Sequence, residues 1–139
     1  MSEEATARKV SPTDLVMEIL SQVPPKVELI ELSDEFVRIL KEQPEGSLLK
    51  QYFGIGRYGH SPQFEEVVTN LWMLGGLVVT STYGSHRQRV TSGLHDAVRW
   101  EKRRTAERFP QFSENERVYL AQIAAQLKTE PSREYRSKN

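Results

Sequence analysis

Not one cysteine occurs among the 139 residues. That absence excludes a disulfide framework, thiolate metal sites and thiol nucleophiles together. Long apolar runs are missing as well. The most apolar stretch, "LWMLGGLVV" at 71–79, is far short of the roughly 18 residues that a membrane span needs. The chain is therefore expected to carry neither a transmembrane helix nor a signal peptide, to be cytoplasmic, and to have no membrane partner.

Net charge is absent too. Nineteen Lys and Arg balance nineteen Asp and Glu, which argues against a surface given over wholly to nucleic acid. Histidine is sparse, and His60, His86 and His95 make no His-x-x-x-His or Glu-x-x-His spacing, so neither a metal nor a cofactor is expected. No serine sits in a nucleophile elbow. Ser85 and His86 are neighbours on an expected exposed turn, where the ring is poorly placed to serve the hydroxyl. Paired acids such as Glu65 and Glu66 diverge by about 100° on a helix. The pattern implies no catalytic residues and no enzyme.

What is present is a legible succession of helix starts. "SPTD" at 11–14 combines a capping serine, a proline at the first helical position and an acid three residues on. Leu15, Val16, Ile19 and Leu20 follow at helical spacing until Pro24 and Pro25. "KVELIEL" reads as a short strand or extended arm. A second helix opens at Ser33, and "SLLKQYF" holds a short one closed by Gly54. The helix from Ser61 is apolar on nearly every side, through Phe64, Val67, Val68, Leu71, Trp72, Met73 and Leu74. Such a helix belongs in the core, and Gly75 and Gly76 end it.

A β-hairpin is expected near 77–91 with its tip at Gly84. A long charged helix covers 92–108, and the capping box at Ser113 and Glu116 opens the last helix. The expected fold is mainly α, one helical domain over 11–128 with one hairpin, between disordered tails at 1–10 and 129–139. The long C-terminal helices are candidates for a dimer interface.

"GIGRYGHSP" at 54–62 has the Gly-x-Gly-x-x-Gly spacing of a dinucleotide loop. It lacks a preceding strand, a βαβ setting and an acid some 20 residues on, so it reads as a structural turn. A weaker option is an anion site at Arg57 beside the free amides of the Ser61 helix.

The charges are unevenly spread. Residues 1–46 hold ten acids and five bases, and 81–108 hold three acids and seven bases. On the 92–108 helix, Leu94, Ala97, Val98, Thr105 and Phe109 share a packing side, while His95, Arg99, Lys102 and Arg103 share a basic face. Arg87 and Arg89 lie just ahead of them on the hairpin. The five cations Arg87, Arg89, Arg99, Lys102 and Arg103 form a candidate nucleic-acid surface. The same basic helix could instead dock on an acidic protein surface. Pairing of Arg99 and Arg103 with Asp96 and Glu107 would leave only a solvated face.

Helix, glycine pair, "GLVV", turn, "RQRVTSG" and a long helix follow the order seen in winged-helix DNA-binding proteins. In particular, "LWMLGGLVVTSTYGSHRQRVTSG" resembles the end of the recognition helix and the wing of MarR-type and PadR-type regulators. The resemblance spans about 30 residues and implies a DNA-binding transcription regulator with Arg87 and Arg89 in the wing and a dimer through the final helices. The sequence departs from the pattern in the supposed recognition helix, which has no Lys or Arg and two acids near its start. Contacts would then fall to the wing and the basic helix. The last helix carries its main apolar face at Leu120, Ile123, Ala124 and Leu127, and a second, shallower strip at Val118, Ala121 and Ala125 that a second copy would cover in a homodimer.

Overall fold

A computed structural model describes residues 10–80, 87–104 and 112–131. Six helices and four strands lie among them: α1 (Pro12–Leu20), β1 (Val27–Ile30), α2 (Leu32–Lys41), α3 (Leu48–Tyr52), α4 (Pro62–Met73), β2 (Leu77–Val79), β3 (Arg87–Val90), α5 (Ser92–Arg104), α6 (Glu114–Ala125) and β4 (Thr129–Pro131). The mainly helical expectation holds. The expected lone hairpin is the outer part of a larger antiparallel sheet of order β2-β3-β1-β4.

Local sequence sets most helix starts. Ser11 accepts a bond from the Asp14 amide at 3.2 Å while Asp14 Oδ2 accepts from the Ser11 amide at 2.9 Å, so these two residues close a capping box before α1. Ser113 and Glu116 repeat it for α6. α2 starts one residue earlier than its serine suggests. Glu31 stands at its N-cap in the left-handed region, φ 52°, with no side-chain cap. α3 ends at Phe53 in extended backbone, so Gly54 is not its left-handed cap.

The close of α4 follows from its glycines. Gly75 takes φ +86°, its amide bonds the Trp72 carbonyl at 3.2 Å, and the Gly76 amide bonds the Leu71 carbonyl at 2.7 Å. This pair of bonds satisfies carbonyls that a helix end would leave open, and only glycine adopts that first backbone state cheaply. A Cβ on Gly76 would come within 3.2 Å of Leu94 Cδ1, so the second glycine lets α5 approach.

The core forms where the helices meet the inner face of the sheet. Phe36 of α2 stacks on Phe64 of α4 at 3.9 Å between centroids, and Phe53 meets Phe36 edge-on at 5.0 Å. Leu29, Leu77 and Val90 line the inner sheet face with no exposure. α6 belongs to this same core, packing on α1 through Leu120, Ile123 and Ala124, and Tyr119 donates to Gln43 Oε1 at 2.7 Å. β4 corrects the expectation of a disordered tail from 129. Thr129–Pro131 pairs with β1, Glu130 opposite Glu28.

Two packing expectations change as well. In α4, Phe64, Val67, Val68 and Leu71 are buried, whereas Trp72, Met73 and Leu74 are 55%, 71% and 83% exposed. The last turn runs past the edge of the core, and only one face is covered. In α5, Leu94 and Val98 are buried but Ala97 is exposed. Thr105 and Phe109 lie outside the described residues.

Candidate functional site

The glycine loop spends its amides on itself. Gly56 donates to the His60 carbonyl at 2.7 Å, Gly59 to the Gly56 carbonyl at 3.1 Å, and Gly54 to Gln63 Oε1 at 3.1 Å. A phosphate cradle needs those donors free. Gly59 is at φ +82°, which fixes the stretch as a tight turn between α3 and α4. Ser61, fully buried, caps α4 by accepting from Phe64. Arg57 sits at the exposed tip, beside Tyr58.

The hairpin cations separate. In the antiparallel register Glu28 lies opposite both Arg89 and Glu130, so Glu28, Glu130, Arg87 and Arg89 share the outer sheet face. Arg87 Nη1 reaches Glu28 Oε1 at 3.3 Å and also pairs with Glu130. The Arg87 side chain is 19% exposed and that of Glu28 is 2% exposed. Arg87 therefore ties β3 to β1 and β4 and is withdrawn from the candidate nucleic-acid surface, because releasing it would take a charge partner from a buried carboxylate. Arg89 is half-buried on the same face. The hairpin tip, with His86, lies outside the described residues.

On α5, His95 does not belong to a basic face. Its Nε2 donates to the Val23 carbonyl at 2.7 Å, fixing the helix to the segment after α1. Arg99 pairs with Asp96 three residues earlier, with side chains 70% and 66% exposed. An ion pair this open is worth at most about 1 kcal/mol and yields readily to a phosphate. Lys102 and Arg103 are on the helix, and their side chains lie outside those described. On α6, Val118 and Ala125 are exposed and Ala121 is half-buried, on the side away from Leu120 and Ile123.

One surface feature escapes the sequence reading. A cleft of about 750 Å³ opens between the start of α2, the outer side of α4 and the hairpin. Leu32, Val68, Trp72 and Val79 give it apolar walls, and Glu31, Asp34 and Glu65 bring carboxylates to it. Among the described residues no Lys or Arg lines it, and His60 is the one basic side chain there. A second, more apolar groove lies on the other side of the α4 end, between Met17, Leu71, Leu74, Leu94 and Ala97. The nearest sequence signal for the first cleft is the acid-only start of α4, which marks what that face repels and not what it takes.

Among the described residues no His, Asp and Glu side chains gather as a metal cage, and no helix is long and apolar enough to cross a membrane. Comparison with protein-family models, with curated proteins and with solved structures returned no match.

Proposed function

We propose that the chain is a cytoplasmic, non-catalytic binding module of winged-helix type that holds nucleic acid by its backbone, through the hairpin and α5, as a homodimer. The observation that carries this reading is the framing of the hairpin. β3 is paired on one side to β2 and on the other to β1, which lies between α1 and α2, and one residue after β3 the chain enters α5. A helix, a glycine pair, the hairpin and then a long helix in that order are what the resemblance to winged-helix regulators implies. Arg89, Arg99, Lys102 and Arg103 are the cations left for phosphates once Arg87 is tied to Glu28 and Glu130. α4 has no part in base reading, since Glu65 and Glu66 open it and no cation follows.

Affinity is then mostly electrostatic, low in sequence preference and steeply salt-dependent. The second copy covers Val118, Ala121 and Ala125, the strip that α6 turns away from its own core. Titration of duplex DNA at two salt concentrations tests the reading, with no binding at low salt as the result that removes it.

A second reading, docking on another protein, is favoured by the acid-lined cleft. Phosphates are repelled there, and apolar side chains stand uncovered.

A further inference from the structure

We infer that the cleft between α2, α4 and the hairpin is a docking groove for a basic segment of a partner protein, one that carries Lys or Arg beside apolar residues. This surface is separate from the one proposed for nucleic acid. Its walls are apolar, with Trp72 55% and Val79 58% exposed, although Leu32 and Val68 behind them are buried. Exposed large apolar side chains gathered in a concavity mark an interaction site.

Charge selects the occupant. Asp34 stands in the first turn of α2 and Glu65 in the first turn of α4, and neither carboxylate has an ion-pair or hydrogen-bond partner among the described residues. Each carboxylate favours its own helix start, which accounts for its presence there. The helix ends do not account for the apolar walls or for the lack of Lys and Arg among the described residues around them. A lysine or arginine side chain matches both properties, because its stem covers apolar surface while its head meets carboxylates and the face of a tryptophan. A nucleic acid meets only repulsion from these acids.

The test is fluorescence anisotropy of a short labelled peptide in which lysines alternate with leucine and alanine, titrated with the full chain. The wild type binds it, affinity falls with added salt, and the same peptide with glutamate for lysine does not bind. Asp34→Lys with Glu65→Lys weakens binding by more than about tenfold, and Trp72→Ala by about tenfold, a loss of roughly 1.4 kcal/mol. Should the double reversal unfold, Asp34→Asn with Trp72→Ala, both at exposed positions, carries the same comparison with an unchanged circular dichroism spectrum. Equal binding of the glutamate peptide, unchanged affinity in the variants that fold, or no binding to the basic peptide overturns the proposal. So does self-association of the wild type that Trp72→Ala abolishes, since the groove would then hold a second copy.

Discussion

Arg87 of β3 and Glu28 of β1 meet at 3.3 Å on the outer face of the sheet, and Glu130 of β4 joins the same guanidinium. Three strands distant in sequence are thus held through one cation. Arg87→Ala takes the guanidinium away from Glu28, which is 2% exposed, and is expected to destabilise the fold by about 3 kcal/mol. Replacing Arg87 and Glu28 together by methionine and leucine should recover much of that loss, because an apolar pair does not carry the desolvation cost. Urea unfolding decides it. A midpoint change worth under about 0.5 kcal/mol for Arg87→Ala, the range of a surface substitution, would show the clamp to be idle.

Leu71 and Leu74 lie three residues apart at the end of α4 and differ sharply in burial, 6% against 83% exposed. Leu71→Ala should cost about 2 to 5 kcal/mol, since a buried leucine in the core leaves a cavity that its surroundings close only in part. Leu74→Ala should stay within about 0.5 kcal/mol in the isolated chain. Parallel urea melts of the two variants check the register of this helix, and equal losses would mean that the last turn is covered.

These two pairs also mark what is readable without coordinates. The helix starts at Ser11, Ser47, Ser61 and Ser113 are legible because a cap is settled by residues within four positions of each other. β4 is not, because Thr129–Pro131 becomes a strand only against Val27–Ile30, about a hundred residues earlier. The excess of bases at 81–108 is a count along the chain, whereas charge is balanced across the sheet, where acids from β1 and β4 reach Arg87. Trp72, Met73 and Leu74 look like core because composition says how apolar a helix is and not how far the covering elements extend.

If nucleic acid is held through α5, Arg99→Glu, Lys102→Glu and Arg103→Glu combined should abolish binding to duplex DNA with little change in circular dichroism. The Asp96 pair does not protect Arg99 from this role, being too exposed to compete with a phosphate. Neutralising any one cation that meets a phosphate should flatten the log–log salt slope by about 0.9. Arg89→Ala should weaken binding in this way, and Arg87→Ala should leave the affinity of the folded fraction as it was. Binding that survives the triple reversal counts against the interface.

The proposed homodimer is the most direct point of attack, because one substitution separates assembly from folding. α6 buries Leu120 and Ile123 in its own subunit, with Leu127 just beyond its end, so the core has no further claim on Val118, 50% exposed, or on Ala121 and Ala125. In the proposed dimer, small alanines on that strip would let two helices approach closely, and a glutamate there would meet its own copy across the two-fold axis. Ala121→Glu should yield a monomer with an unchanged unfolding midpoint at low protein concentration. It should also bind duplex DNA much more weakly than the wild type, since two linked weak sites lose their effective-concentration advantage when separated. Sedimentation of both proteins at tens of micromolar decides between the outcomes. A wild type that is already monomeric removes the dimer, and a dimer that survives Ala121→Glu moves its interface off α6, toward the groove where Leu74 stands exposed beside Leu94 and Ala97.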